Sequence, residues 1–245
     1  MKKLIVANFK MNPSTASEFS DLLRTYGEKS ASMANVDFVA APPFVFLFQV
    51  MNSQTLAASQ NCFYEDFGAY TGEISPLMLK NLGVRYAIIG HSERRKMGET
   101  DEVINKKVQA AKRNGLIPIL CVGETLEEKE SGKKEEAVRH QIAEALKNGE
   151  WEGETELIIA YEPVWAIGTG LACDPNEASQ MTEVILDEVK KIIAGVKIIV
   201  IYGGSVDANN IKGFLEKPNI FGALVGGASL KKEEFVKILE IANSI

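Results

Sequence analysis

Two side chains in this sequence have the chemical types of an acid–base pair, and each directly follows a short apolar run. Glu162 comes after Leu157–Tyr161, and His91 comes after Tyr86–Gly90. A carboxylate at the end of a buried strand is a candidate general base. A histidine at a helix start stays neutral, because the helix dipole disfavours imidazolium, and a neutral ring can donate a hydrogen bond to a substrate oxygen. A solvated loop glutamate and a core histidine bonded to backbone are the alternative interpretations.

A cation and two glycine pairs also follow apolar runs. Lys10 can stabilise an oxyanion or a phosphate, although an exposed loop lysine is the simpler interpretation when it is taken alone. Gly203-Gly204-Ser205 and Gly226-Gly227 follow the last two runs. In α/β barrels the loops after the last two strands often bind phosphate, because their backbone N–H groups approach its oxygens closely. These groups together suit proton abstraction beside the carbonyl of a small phosphorylated sugar, with no metal and no other cofactor.

Eight short apolar runs separated by amphipathic stretches must position these residues. Continuous apolar character is typical of parallel strands that are buried on both faces. Even spacing, with no Gly-x-Gly-x-x-Gly after the first run, favours a closed (β/α)8 barrel over an open doubly wound sheet. We therefore predict an α/β protein with a single barrel domain over residues 1–245. The runs are Leu4–Ala7, Phe38–Ala41, Leu56–Ser59, Tyr86–Gly90, Leu116–Val122, Leu157–Tyr161, Ile198–Tyr202 and Ala223–Gly226.

One of the intervening helices has clear end signals. Asp174 is the predicted N-cap, Pro175 occupies the first helical position, and Glu177 is expected to reach back toward the cap. Gly195 lies just past the predicted end of this helix.

The apolar loop before that helix is a candidate lid. Pro163–Gly170 begins with proline, ends with glycines and carries apolar residues between them. Such a loop at the mouth of an active site can close and exclude water, although permanent packing is the alternative.

Composition narrows the possible partners and compartments. The 245 residues carry a net charge of −6, which gives no overall attraction to nucleic acid or to an anionic membrane. Three cysteines without a CxxC pair indicate a reducing compartment. The N-terminal apolar stretch is shorter than a signal peptide requires, and no apolar run is long enough to span a membrane. We expect a cytoplasmic protein.

The sequence resembles the triosephosphate isomerase family along essentially its whole length, because six motifs match in order. They are Ala7-Asn8-Phe9-Lys10-Met11-Asn12, Gly90-His91-Ser92-Glu93-Arg94-Arg95, Cys121-Val122-Gly123-Glu124, Ala160–Gly170, Tyr202-Gly203-Gly204-Ser205-Val206 and Gly226-Gly227-Ala228-Ser229-Leu230.

The resemblance implies an enzyme of glycolysis and gluconeogenesis that interconverts dihydroxyacetone phosphate and D-glyceraldehyde 3-phosphate. It implies that Glu162 moves the proton, that His91 polarises the carbonyl, and that Asn8 and Lys10 bind substrate, with Lys10 also stabilising negative charge. Glu93 is expected to be a buried partner of Lys10. The implied phosphate donors are Gly168, Ser205, Gly226 and Gly227, with Gly168 delivered when the lid closes.

The segment Tyr64–Ser75 resembles the interdigitating dimer loop of this family and implies a homodimer. Its tip, Thr71, is expected near the active site of the partner. Its Phe67, Tyr70 and Ile74 would be costly to leave in water. The Leu171-Ala172-Cys173 end of the lid is less typical of the family.

Two other functions stay open at this point. A metal-dependent pentulose-phosphate epimerase is one, although only one histidine lies at a strand end. A catalytically inactive barrel that serves as a binding or surface-adhesion protein is the other, and the presence of Lys10, His91 and Glu162 together argues against it.

Overall fold

Eight parallel strands close into a barrel in which each strand pairs with the next and β8 pairs with β1. The computed structural model describes residues 1–149, 151, 156–168 and 173–245. Each strand coincides with a predicted apolar run to within one or two residues at its ends, so the predicted (β/α)8 fold is confirmed. The strands are β1 (Lys3–Asn8), β2 (Val36–Ala41), β3 (Leu56–Ser59), β4 (Tyr86–Ile89), β5 (Ile117–Val122), β6 (Glu156–Tyr161), β7 (Lys197–Tyr202) and β8 (Gly222–Val225).

Helices connect the strands around the outside of the barrel. None of the helices in the described part of the chain is long and apolar enough to cross a membrane. They are α1 (Ala16–Ala31), α2 (Leu47–Met51), α3 (Pro76–Leu82), α4 (Ser92–Lys96), α5 (Asp101–Arg113), α6 (Leu126–Glu130), α7 (Lys134–Leu146), α8 (Pro175–Ile192), α9 (Ile211–Leu215) and α10 (Lys232–Asn243).

The start of α8 agrees with the sequence in one respect and differs in another. The Asp174 carboxylate accepts hydrogen bonds from the backbone N–H groups of Asn176 and Glu177, as an N-cap should. The prediction that Glu177 reaches back toward the cap is wrong. Its carboxylate lies 3.2 Å from the Lys129 ammonium and 2.9 Å from that of Lys134. Two ammonium donors bind a carboxylate more strongly than one neutral backbone N–H does.

The strands are buried on both faces because apolar side chains alternate between two layers. In β1, Leu4 and Val6 point into the barrel, whereas Ile5 and Ala7 pack against the surrounding helices. The inner layer also contains Cys121, which is a small buried apolar group rather than a reactive thiol. Packing on both faces explains why the strand sequences are continuously apolar.

A buried ion pair fastens α5 to the loops that carry the site. Lys107 and Glu99 form a salt bridge, and each side chain is only 4% exposed. Lys107 also donates to Asn61 Oδ1 at 2.9 Å, and Arg94 donates to Glu99 at 3.0 Å. Burial by itself raises the pKa of the Glu99 carboxyl, but hydrogen bonds from Lys107 and Arg94 lower it overall.

We expect Lys107→Met to lower the free energy of unfolding by about 3 kcal/mol, because it leaves a buried carboxylate without its main partner. Urea unfolding measures this change. Lys106→Met is the matched control, because Lys106 is half-exposed and pairs with Glu102 on the helix surface. Its effect should stay within about 0.5 kcal/mol. Equal effects of the two variants would contradict the importance of the buried pair.

Candidate active site

One cavity at the carboxyl ends of the strands contains every site residue that the sequence predicts. Its volume is about 600 Å³, and it lies at the mouth of the barrel. The ends of β1, β4, β6, β7 and β8 contribute to it, which is where parallel strands bring polar residues together. The predicted residues that line it are Asn8, Lys10, His91, Glu162, Gly168, Ser205, Gly226 and Gly227.

Glu162 is a buried carboxylate beside the imidazole of His91. Its Oε2 accepts a hydrogen bond from the backbone N–H of Ser92 at 3.1 Å. Its Oε1 lies 3.3 Å from His91 Nε2, yet no described group donates a hydrogen bond to that oxygen. Burying an acceptor without a partner costs free energy, so this oxygen is available for a proton or a ligand in the cavity.

His91 is the N-cap residue of α4, as its position in the sequence indicates. Its Nδ1 accepts a hydrogen bond from the backbone N–H of Glu93 at 3.2 Å. A ring nitrogen that accepts carries no proton, so the proton of the neutral ring lies on Nε2. Nε2 is the nitrogen that faces Glu162, and the ring can therefore donate a hydrogen bond into the cavity.

The backbone of Lys10 is held in a left-handed conformation. Its φ is +52°, which is uncommon for a residue with a side chain. Its N–H donates to Asn8 Oδ1 at 3.1 Å, and its carbonyl accepts from Gln60 Nε2 at 2.8 Å. Gln60 also donates to the carbonyl of Ala41 at 2.8 Å. The sequence gives Gln60 no evident role beyond its place just after β3.

Glu93 binds Lys10 but is not buried, so that part of the expectation is wrong. Its Oε1 lies 2.6 Å from the Lys10 ammonium, and 47% of its side chain is exposed. Nearby, Met11 and Met97 are 92% and 73% exposed. These side chains on this side of the barrel mouth are therefore exposed to solvent in the single chain.

The opposite side of the cavity presents backbone donors. The N–H groups of Ser205, Gly226 and Gly227 make no hydrogen bond to a carbonyl in the described chain. Asn210, which the sequence did not indicate, donates to the Ser205 carbonyl at 3.1 Å and shapes this loop. A Cβ at Gly226 would lie 3.1 Å from Lys10 Cε, so the Lys10 side chain passes close to the backbone N–H groups of this loop. This arrangement suits a phosphate.

A buried carboxylate fastens the chain on both sides of Glu162. Glu124 is fully buried and accepts hydrogen bonds from Tyr161 Oη at 3.1 Å and from Trp165 Nε1 at 2.7 Å. Its carbonyl accepts from the N–H of Val164 at 2.9 Å. Burial raises the pKa of the Glu124 carboxyl. In the sequence Glu124 belongs to one of the six family motifs, but nothing there indicates this supporting role.

The predicted lid is described only in part. Residues 163–168 are described, and Gly168 is exposed, has φ +71° and lines the cavity. Thr169 and Gly170, together with Leu171 and Ala172 at the less typical end, lie outside the described residues.

Known proteins match this chain over nearly its whole length. A family model described as triosephosphate isomerase matches residues 3–242, which run from β1 to α10. The chain belongs to the triosephosphate isomerase family. It is 45% identical to the triosephosphate isomerase of Dictyoglomus thermophilum, covering 98% of this chain and 99% of that protein. It is 44% identical to the triosephosphate isomerase of Caldanaerobacter subterraneus subsp. tengcongensis, over 97% of this chain and 98% of that protein. It is 42% identical to the triosephosphate isomerase of Ligilactobacillus salivarius, over 98% of each chain.

The position of the Glu162 side chain depends on the absence of a side chain at Gly203. A Cβ there would lie 2.8 Å from Glu162 Cγ, so one of the two groups must move. We expect Gly203→Ala to lower the isomerase kcat by on the order of 10²-fold, because a displacement of about 1 Å has that effect on an oriented catalytic group. Circular dichroism should show an unchanged fold. A variant with full activity would show that Glu162 tolerates the displacement.

Proposed function

We propose that this protein interconverts dihydroxyacetone phosphate and D-glyceraldehyde 3-phosphate by proton transfer through an enediolate. Family membership over residues 3–242 supports this reaction. The observation that carries it is the convergence of Glu162, His91 and Lys10 with unbonded backbone donors in one cavity. Nothing in the described residues favours the inactive barrel.

In this proposal Glu162 is the base and His91 is the electrophile. The carboxylate removes a proton from the carbon beside the substrate carbonyl, while Nε2–H of His91 donates a hydrogen bond to the carbonyl oxygen. The electron pair moves onto that oxygen and forms the enediolate. Lys10 stabilises the developing negative charge, and Asn8 binds the substrate and holds the Lys10 backbone. His91 then passes the hydroxyl proton of the deprotonated carbon to that oxygen, so that the negative charge moves to the other oxygen of the enediolate. Glu162 returns its proton to the former carbonyl carbon, and the electron pair on the second oxygen forms the new carbonyl.

The substrate phosphate binds at the opposite side of the cavity. Ser205, Gly226 and Gly227 offer backbone N–H groups there, and Gly168 adds another when the segment after Glu162 closes over the substrate. Excluding water strengthens the electrostatic interactions inside the cavity and protects the enediolate.

A coupled assay that follows each triose phosphate separately tests the reaction. Turnover in both directions is expected from the purified chain. A folded protein that binds a phosphate-bearing analogue but turns over neither substrate would support the inactive barrel instead.

We expect Glu162→Asp to lower kcat by on the order of 10²-fold with little change in KM, because the carboxylate is withdrawn by about 1 Å. Glu156→Asp is the matched control at the other end of β6, where Glu156 pairs with Lys197 at 3.2 Å. It should keep wild-type kcat. A near-normal kcat for Glu162→Asp would remove Glu162 as the base.

We also propose a homodimer formed through the Tyr64–Ser75 loop. The loop is closed by a backbone hydrogen bond from Phe63 to Ile74, and Arg113 binds its Asp66 at 2.9 Å. Phe67 is 81% exposed in the single chain. Tyr70 is also exposed, whereas Ile74 packs partly on the core of its own chain.

A receptor for the loop of a second copy lies beside the active site. A smaller cavity of about 190 Å³ is lined by Lys10, His91 and the exposed Met11 and Met97, among others. In a two-fold dimer the same patch on each subunit completes the other, so Thr71 of the partner subunit would cover the exposed Lys10–Glu93 pair. The site would then be complete only in the dimer.

Replacing residues 64–75 by a short polar turn should give a soluble monomer with strongly reduced kcat. Sedimentation at the assay concentration measures the oligomeric state, and the coupled assay measures kcat. Leu126→Ser is the control, because Leu126 is an exposed apolar residue on α6, and it should stay dimeric and active. A fully active monomer would show that the loop does not support the site.

We further propose that residues 1–245 form a single domain that works in the cytoplasm. Strands from Lys3 to Val225 all belong to one barrel, and α10 packs against β1 and β2. The three cysteines are free thiols, which suits a reducing compartment.

A further inference from the structure

Lys129 contacts the segment after Glu162 on one side and the start of α8 on the other. Its ammonium nitrogen lies 3.5 Å from the centroid of the Trp165 ring. The same ammonium lies 3.2 Å from the carboxylate of Glu177 in the first turn of α8. The Lys129 and Glu177 side chains are both less than one third exposed, so solvent screens these interactions only in part.

Hydrogen bonds connect Trp165 to the chain on both sides of Glu162, the proposed base. Trp165 donates its indole N–H to Glu124, which also accepts from Tyr161. Tyr161 and Val164, both bonded to Glu124, lie close to Glu162 on either side of it in the chain. Lys129 also contacts the Trp165 ring, so moving the indole away from Glu124 would cost both its hydrogen bond and this cation–π contact.

We propose that Lys129 is a positioning residue for the isomerase reaction: it holds Trp165 against Glu124, anchored by Glu177, and so fixes the Glu162 carboxylate in the cavity. This inference rests on the proposed function, because Glu162 must be the base for its position to matter. It does not require Lys129 to touch the substrate.

Lys129→Met tests the inference, because it removes the charge and keeps an aliphatic stem over the indole. We expect kcat to fall about 5- to 10-fold, with KM changed much less. In a Trp151→Phe background Trp165 is the only indole, and its fluorescence emission should shift when the ammonium is removed. Glu177→Gln should produce a smaller change in the same direction.

Two further variants separate positioning from a general loss of surface charge. Lys134→Met is the matched control, because Lys134 also pairs with Glu177 and has no ring contact to Trp165, and it should keep both kcat and emission. Lys129→Arg should restore both, because guanidinium also stacks on an indole and binds a carboxylate. Equal losses in the Lys129 and Lys134 methionine variants, unchanged kcat in Lys129→Met, or failure of Lys129→Arg to restore it would overturn the inference.

The wild-type assay keeps this result separate from the test of the function. If the wild-type enzyme lacks isomerase activity, the proposed function fails. If it is active and Lys129→Met is equally active, the function stands and the positioning role fails.

Discussion

Closure of eight parallel strands into one barrel is the constraint on which the rest of the structure depends. Parallel strands place all their carboxyl ends at the same edge, and closure brings the first strand beside the last. Lys10 after β1 therefore lies next to Gly226 after β8, although the two residues are far apart in the chain. The cation and the backbone donors become neighbours only because the barrel closes.

Within that barrel, hydrogen bonds hold the candidate reactive groups in position. Gln60 fastens the left-handed backbone of Lys10, and Glu124 fastens the chain on both sides of Glu162. A hydrogen bond is directional, whereas apolar contact is not, so polar contacts can fix a side chain to within a fraction of an ångström. A buried polar group that loses its partner is costly, which makes each of these contacts sensitive to substitution.

The single chain leaves one side of the active-site mouth uncovered. The salt bridge between Lys10 and Glu93 is partly in solvent, and Met11 and Phe67 project from the same subunit without cover. Solvent weakens an ion pair, and exposed apolar side chains favour association. Burial against a second copy, as proposed above, would strengthen the ion pair and cover the apolar side chains.

The sequence alone determined the order of strands and helices and indicated the candidate reactive residues. Strands buried on both faces need continuous apolar runs, and polar residues at the carboxyl ends of those runs lie where the active sites of such barrels are found. The types and positions of Lys10, His91 and Glu162 therefore suffice to suggest the proposed proton transfer.

Only the tertiary structure decided which groups support those residues. Glu177 does not bond to the cap of its own helix but forms salt bridges with Lys129 of α6 and Lys134 of α7. The Glu93 side chain is half-exposed rather than buried. A local pattern describes what a residue can do with near neighbours in the chain. It contains no information on partners more than forty positions away, such as Lys129 for Glu177. Those contacts depend on how the helices pack around the closed barrel.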